Sequence, residues 1–574
     1  MKNNNFSVVQ RTVLAPMFLR FDGLLLLPVI IYLSFILPIY VENNAGSGLS
    51  LPQNIVSWGC IAFFILLVTS RTVISGRIYI SKFMLWATLA TVLLVLPWFW
   101  TSSTLWQHHA LPRLAGIAGG LFFTFSLCQI RLNKNLRRLI LAVIVFSALI
   151  QSAESMLQAW LPNMALRLMD FSASSPYGIF QQKNLLASWL ATGFGINLYL
   201  ARTSRSRTRT IVWILALYPL CTGIILSESR IGGLAALVMM MVNMVSDVPN
   251  LRHRPLAVLH RVMLISSLIV WCTGISLWAM PSGKGADFSH TASTEQRLTV
   301  LIGTAKLIAK HPVTGSGLGS FESQFPQALE EAGLESREND TFTHPHNEVM
   351  YVMAEGGVIA LAGLMILAGV WLWPFLYFLS RLNSRWLLPL TGLPIIMHMM
   401  TEYPLYLSSP HFMLLLLLFR IGIPDSLLSR VRMGALIRII ALPTVCLASI
   451  LSLFLLNAGF SVQKELTQAE CDMNSGLIPS LPKPNWRNLT QAERLSRDRF
   501  MLKANTPAFT RDTHAMAEFT IWGTRWLSVH NDADVSAALI FIAGLRGDQI
   551  QVKQLRKLAG RVFVSDERFK QMGK

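Results

Sequence analysis

The chain has 574 residues, of which 53% are hydrophobic and only 14% charged, with 49 Lys+Arg against 30 Asp+Glu. Repeated apolar runs of about eighteen residues or more, divided by short basic connections, exclude an ordinary soluble enzyme and indicate an all-α polytopic membrane protein. The basic excess falls mainly between those runs, where the positive-inside rule accounts for it, so the bilayer rather than nucleic acid is the expected partner.

The N-terminal stretch before residue 24 is too long and polar for a cleaved signal, and the first apolar run itself would direct insertion. That run covers about 24–40 and the next about 55–69. A third ends near 100, before a connection 101–112 that carries His108 and His109. The fourth leads to Arg131 and the fifth to about 158; a polar stretch, 162–183, precedes the sixth, which ends at Arg202. The seventh ends at Ser227-Glu228-Ser229-Arg230, the eighth at a loop with Arg252, and the ninth near 280. After a polar segment of about 281–347 the tenth runs to Arg381, the eleventh to Thr401-Glu402-Tyr403-Pro404, the twelfth to Arg420, and the last covers about 436–456.

With a cytoplasmic N-terminus, the loops beginning at Arg71, Arg131, Arg202, Arg252, Arg381 and Arg420 all fall inside, as the rule requires. About thirteen spans result, and the His108–Arg113 loop, 162–183, 227–230, 281–347, 402–410 and the tail face outward. The organisation expected is a membrane domain, 1–457, and an outer-face domain, 458–574. In the tail, SLPKPNW is Pro-rich, 488–503 is rich in helix formers, and 512–529 and 533–545 carry apolar residues at helical spacing, which predicts a small helical domain. Five of the six cysteines lie in or beside apolar runs, with no disulfide framework and no metal-ligand spacing.

The unusual polar residues gather on the outward side. Gln181, Gln182, Lys183 and Asn184 enter the sixth span, where their amides can bind phosphate or sugar hydroxyls or serve as an ordinary helix start. Arg230 sits on an outward turn against the charge bias; its planar fork suits a phosphate, and its alternative is snorkelling to headgroups. Arg297 can cap a surface helix or contact the same anion. The run His311-Pro312-Val313-Thr314-Gly315-Ser316-Gly317-Leu318-Gly319 lacks the GK[ST] of a P-loop and follows no βαβ strand, which excludes nucleotide binding there. His344-Pro345-His346-Asn347-Glu348 places two imidazoles where the long loop meets the bilayer. Glu402, with His398 and Tyr403 nearby, is an interfacial carboxylate that needs a partner.

Taken in order, Tyr177-Gly178-Ile179-Phe180-Gln181-Gln182-Lys183-Asn184, Ser227-Glu228-Ser229-Arg230, His311-Pro312 with Gly315-Ser316-Gly317, His344-Pro345-His346-Asn347-Glu348 and Glu402-Tyr403-Pro404 resemble bacterial O-oligosaccharyltransferases of the PglL type. These are similar to O-antigen ligases and Wzy-type O-antigen polymerases. The matching motifs span roughly 108–410, and the long tail fits the PglL branch. The resemblance implies a GT-C-like enzyme of the inner membrane that takes a glycan from undecaprenyl diphosphate. It would pass the glycan en bloc to Ser or Thr of periplasmic, including pilin-like, proteins, without cofactor or metal. Ligation to lipid A core or polymerisation of O-antigen is the alternative. A transporter or flippase fits less well, because the polar residues sit at one face and no internal repeat is present. In this reading His346 is the general base, with His344 as the other choice. Arg230 and Arg297 hold the diphosphate. Asn347 and Gln181–Asn184 orient donor or acceptor, and Glu402, supported by His398, holds an arginine or histidine in place.

Overall fold

A computed structural model describes residues 22–170, 173–245, 289–334, 341–380, 384–506 and 508–569. Among the described residues the protein is all-α apart from one short strand pair, and seven of the helices are long and apolar enough to cross a membrane. A short helix α1 (Leu27–Ile31) runs into a π-helical turn (Tyr32–Ile36), followed by α2 (Pro52–Ser75), strand β1 (Arg77–Ile80) and α3 (Lys82–Val95). Next come α4 (Thr104–Cys128), α5 (Lys134–Trp160), the short α6 (Pro162–Met169), α7 (Lys183–Thr203), α8 (Arg207–Leu226) and α9 (Arg230–Val245). The ninth expected span lies outside the described residues. The chain resumes with α10 (Ser289–Lys310), α11 (Phe321–Glu331) and the long α12 (Glu348–Leu379). The eleventh span is broken into α13 (Leu387–Leu390) and α14 (Leu393–Met399), and after α15 (Pro404–Leu407) the twelfth is α16 (Ser409–Gly422). Strand β2 (Ser429–Arg432) and α17 (Leu442–Asn474) follow, then α18 (Ala492–Ala504), α19 (Thr513–Leu527), α20 (Ala533–Leu545) and α21 (Gln549–Val562).

Two expectations shift. Residues 108–113 are not a loop: they form part of α4, with Pro112 inside the helix. The turn closes earlier, at Thr101–Ser103, where Thr101 Oγ1 bonds back to Pro97 O at 3.0 Å. The boundary expected at 457/458 falls within α17, which continues as helix to Asn474. At the opposite end of the bundle from the polar motifs, β1 and β2 pair antiparallel, Arg77 opposite Arg432, joining two basic connections.

Helix α7 is the axis of the bundle. Every residue from Leu185 to Arg202 is buried, so its backbone is enclosed by protein, and α5, α8, α9 and α14 pack around it. Small residues permit this: a Cβ on Gly232 of α9 would overlap the Cβ of Ala187 on α7. In lipid, where apolar side chains gain little from leaving the solvent, such close approach is a main source of helix association. At the far end Arg420, with 0% exposure, caps the end of α4 and the turn after it by donating to Leu127 O (3.2 Å) and Ile130 O (2.7 Å) while pairing with Asp425 at 2.6 Å.

Helix α12 is interrupted at Gly357 (φ 64°, ψ −163°). A break leaves carbonyls without their i+4 partners, which is costly away from water. The glycine-rich turn after α10 supplies the missing bonds: Ser316 N–H donates to Ala354 O (2.9 Å), Gly317 N–H to Glu355 O (3.0 Å), and Val358 N–H to Pro312 O (3.0 Å). Gly315 and Gly357 allow this contact, since a Cβ on either would overlap backbone atoms of the other segment. These glycines therefore serve backbone docking. Gly357→Ala should cost on the order of 1–3 kcal/mol from strain alone and lower the thermal unfolding midpoint in detergent. Gly369→Ala, in the same helix with open space at its Cβ, should leave the midpoint unchanged.

Candidate active site

The loop 341–347 brings two histidines onto the start of α12. His344 is buried and ringed by Tyr351, Tyr403 and Tyr406, with centroids 4.4, 4.9 and 5.5 Å away. Its Nδ1 accepts the backbone N–H of His346 at 3.0 Å, which places its proton on Nε2, 3.3 Å from Glu348 Oε2. Glu348 also accepts from Tyr406 Oη at 2.9 Å. Burial holds the His344 pKa below its ordinary value; the Glu348 contact opposes this, while the charges of His346 and Arg113 add to it. Both nitrogens of a neutral His344 are thus occupied.

His346 adopts a left-handed backbone (φ 55°), uncommon for a residue with a Cβ and held here by the His344 bond and the preceding proline. Its Nδ1 lies 2.8 Å from Glu402 Oε2, and its side chain is 25% exposed. The second oxygen of Glu402 is ion-paired with Arg297 Nη2. One buried carboxylate therefore joins the loop, helix α10 and the 400–403 turn. Burial alone would raise the Glu402 pKa, but the His346 hydrogen bond and the charges of His346, Arg297 and His398 together hold it below the ordinary value.

The turn bearing Glu402 is fixed on two sides. Asn347 caps α12 through Met350 N–H (3.0 Å) and donates from Nδ2 to Met400 O (3.1 Å), so its amide is engaged in joining two segments. His398, beneath, has Nδ1 3.0 Å from Ser188 Oγ on α7. Ser188 Oγ lies 3.3 Å from His411 Nε2, which also contacts Leu185 O at 3.0 Å. This buried chain ties α14 and α16 to α7.

The other predicted residues form a neighbouring group at the start of α7. Asn184 Oδ1 accepts from Ser229 Oγ at 2.7 Å, and Ser229 Oγ accepts Gly232 N–H at 3.2 Å, which fixes the turn from which Arg230 projects, exposed, at the first residue of α9. Among the described residues no ion pair joins Arg230 to Glu402; the cation on that carboxylate is Arg297. Gln181 has a left-handed backbone (φ 56°) and Gln182 precedes the first turn of α7. The Oε1 atoms of both are buried without a hydrogen-bond partner among the described residues. Lys183 is half-buried beside them.

Several residues that build the site were not singled out from sequence. Arg113 of α4 pairs with Glu355 at 2.5 Å and lies 4.8 Å from the Tyr351 ring centroid, directly behind His344. Glu355 also accepts the N–H of Phe321 at 3.0 Å. Two charged residues within apolar helices are a legible signal, because each needs a partner inside the bundle. Gln158 and Gln151 of α5 hold the Tyr177–Ile179 backbone, accepting from Tyr177 N–H (2.9 Å), Gly178 N–H (2.8 Å) and Ile179 N–H (3.1 Å); their spacing of seven places them on one helix face.

Fold and site together define a multi-pass membrane protein with a histidine–glutamate–arginine cluster at one end of its helices. Residues 186–365 match the family model described as O-antigen ligase, the superfamily that the motifs of the chain resemble. That match supports a general enzyme role for this membrane protein. The matched segment includes Arg230, Arg297, His344 and His346, while Glu402 lies beyond it. No curated protein matches the chain.

Because the folded state lowers the Glu402 pKa, the unfolded chain binds this proton more tightly, and the stabilisation is lost as pH falls through the folded value. The difference in melting temperature between wild type and Glu402→Gln should be full at pH 6–7 and shrink below the ordinary glutamate value of 4.5. A difference independent of pH would show that the charge of Glu402 contributes nothing.

Proposed function

We propose that the protein is an O-oligosaccharyltransferase that moves a glycan from undecaprenyl diphosphate to Ser or Thr hydroxyls of periplasmic proteins, at an active face turned outward from the inner membrane. The observation that carries this reading is the His346–Glu402 contact at 2.8 Å, with Arg297 on the same carboxylate. Glu402 accepts the Nδ1 proton, so Nε2 presents a lone pair on the exposed side. A base oriented by a carboxylate in this way is the arrangement that activates hydroxyl nucleophiles on many folds.

In the reaction His346 Nε2 takes the acceptor hydroxyl proton as the oxygen attacks the anomeric carbon. The bond from that carbon to the phosphate oxygen breaks, and its electron pair leaves with the lipid diphosphate. Glu402 stabilises the imidazolium. Arg230, whose guanidinium is exposed at the start of α9, and Arg297, whose side chain is 40% exposed, neutralise the departing diphosphate. The amides of Gln181 and Gln182, with Lys183, contact the sugar or phosphate; Asn184 and Asn347 hold the segments in register. His344, with both nitrogens bonded, supports the loop. The long helical tail, expected as an outer-face domain, favours a protein acceptor.

The family description favours a second reading, in which the same steps deliver the glycan to a saccharide hydroxyl of lipid A core. Cells that make a lipid-linked glycan and lack other such transferases separate the two. Intact mass of candidate periplasmic proteins and of lipid A, measured side by side, should show the glycan on Ser or Thr. His346→Ala should reduce transfer by about 10²–10⁴-fold, and Arg230→Lys should impair it because a point charge replaces a fork. Glycan on lipid A alone would establish the ligase reading, and normal transfer by folded His346→Ala would remove His346 as the base.

A further inference from the structure

Away from the Glu402 cluster, three residues far apart in sequence converge: His109 on α4, Glu493 on α18 and His530 just after α19. His109 Nδ1 lies 3.3 Å from Glu493 Oε1, and His530 Nε2 lies 3.9 Å from Glu493 Oε2. One ligand atom from each residue lies within 4.8 Å of the others, and the two imidazoles meet edge to face with centroids 4.8 Å apart. The 3.9 Å separation is too long for a hydrogen bond, so direct bonding leaves the set incomplete.

The far side of His530 is held firmly. Its Nδ1 lies 3.2 Å from Glu322 Oε2 on α11, and Glu322 also accepts Asn531 N–H at 2.7 Å and, through its backbone carbonyl, Asn531 Nδ2 at 2.6 Å. A carboxylate on Nδ1–H fixes the tautomer and turns the Nε2 lone pair toward His109 and Glu493. This is the arrangement by which an outer carboxylate orients a metal-bound histidine.

We propose that His109, Glu493 and His530 form a zinc(II) site, with Glu322 as the outer carboxylate. Two imidazoles and one carboxylate are a zinc donor set that leaves a fourth position for water, whereas calcium and magnesium call for mostly oxygen ligands. Bonds of about 2.1 Å in tetrahedral geometry place ligand atoms about 3.4 Å apart. The His109 Nδ1–Glu493 Oε1 separation of 3.3 Å is already near that, and the remaining separations, all within 4.8 Å, close by movement of the exposed Glu493 side chain and the half-exposed His109. The ion would fasten α18 and the end of α19 to α4 and α11. Trp106 Nε1 donating to Ser528 O (2.9 Å) already joins α4 to the end of α19, and the Arg561–Glu330 pair (2.8 Å) joins α21 to α11. Glu322 neighbours Phe321, whose ring packs against Tyr351, 5.7 Å between centroids, and so backs the wall of His344. The sequence offered no spacing signal, because His109 lies 384 positions before Glu493.

The test uses the untagged full-length protein in detergent, stripped with a chelator and then titrated with zinc chloride alone. Wild type should retain one zinc per chain after desalting, measured by elemental mass spectrometry, and unfold at a higher temperature with zinc than with magnesium. Glu493→Gln, at an exposed position that should not disturb folding, and His109→Ala should bind zinc at least tenfold more weakly. Glu322→Gln should lose about 10–100-fold through the outer contact. Wild type that retains no zinc, or equal retention by Glu493→Gln and His109→Ala, would overturn the site. So would a His530→Ala variant that melts lower while zinc changes no protein's stability, since the cluster would then be only a hydrogen-bonded contact.

Discussion

A buried carboxylate survives at the edge of an apolar bundle only if both oxygens are served. Moving an isolated carboxylate out of water costs several kcal/mol even after relaxation. Glu402 meets that demand with His346 on one oxygen and Arg297 on the other, and much of the surrounding structure keeps these three in reach. Asn347 ties the histidine loop to the turn that carries Glu402, and the buried His398–Ser188–His411 chain ties that turn to the central helix. The break in α12 sets the histidine loop against α10 and α11, because the glycine-rich turn must complete the hydrogen bonds that Gly357 interrupts.

The two ends of the His344–His346 pair divide their duties according to environment. His344 is enclosed by tyrosines and accepts a backbone bond, so it is a structural member held neutral by burial. His346, one proline away, has its ring at the surface and a carboxylate behind it. The proposed chemistry follows from that difference in surroundings, since the two side chains are chemically identical. Arg113 and Glu355 form a second layer behind the tyrosines, a buried pair in which the loss of either partner would leave an uncompensated charge.

Much of this was legible before the fold was known, for reasons that differ from residue to residue. The long apolar runs announce themselves by length, and Glu402 and the histidine loop stand out because interfacial carboxylates and imidazoles are rare without purpose. What sequence could not supply was partnership across long separations. Glu402 was expected to hold an arginine or a histidine; the structure shows it holding both, and the arginine is Arg297. Asn347 reads as a ligand-orienting amide in sequence, and the structure shows one of its two amide hydrogens given to Met400 O and its oxygen to Met350 N–H. Residues 108–113 read as a loop because of His108, His109 and Pro112, but a proline two turns into α4 is tolerated within the bundle. The β1–β2 pair was invisible because its four-residue strands lie in connections more than three hundred positions apart.

The continuity of α17 has a consequence for modularity. At 33 residues it is about 50 Å long, well beyond the roughly 30 Å hydrocarbon core of a bilayer. The helices that follow are thus carried on a stiff post rather than a tether. Cutting or grafting the chain near residue 457 would sever a helix in mid-course and strip its upper turns of the contacts that Val462 and Leu466 make with Leu495. Chimaeras that exchange C-terminal parts among related enzymes should instead be joined in the extended stretch 477–484, where no helical hydrogen bond crosses the splice.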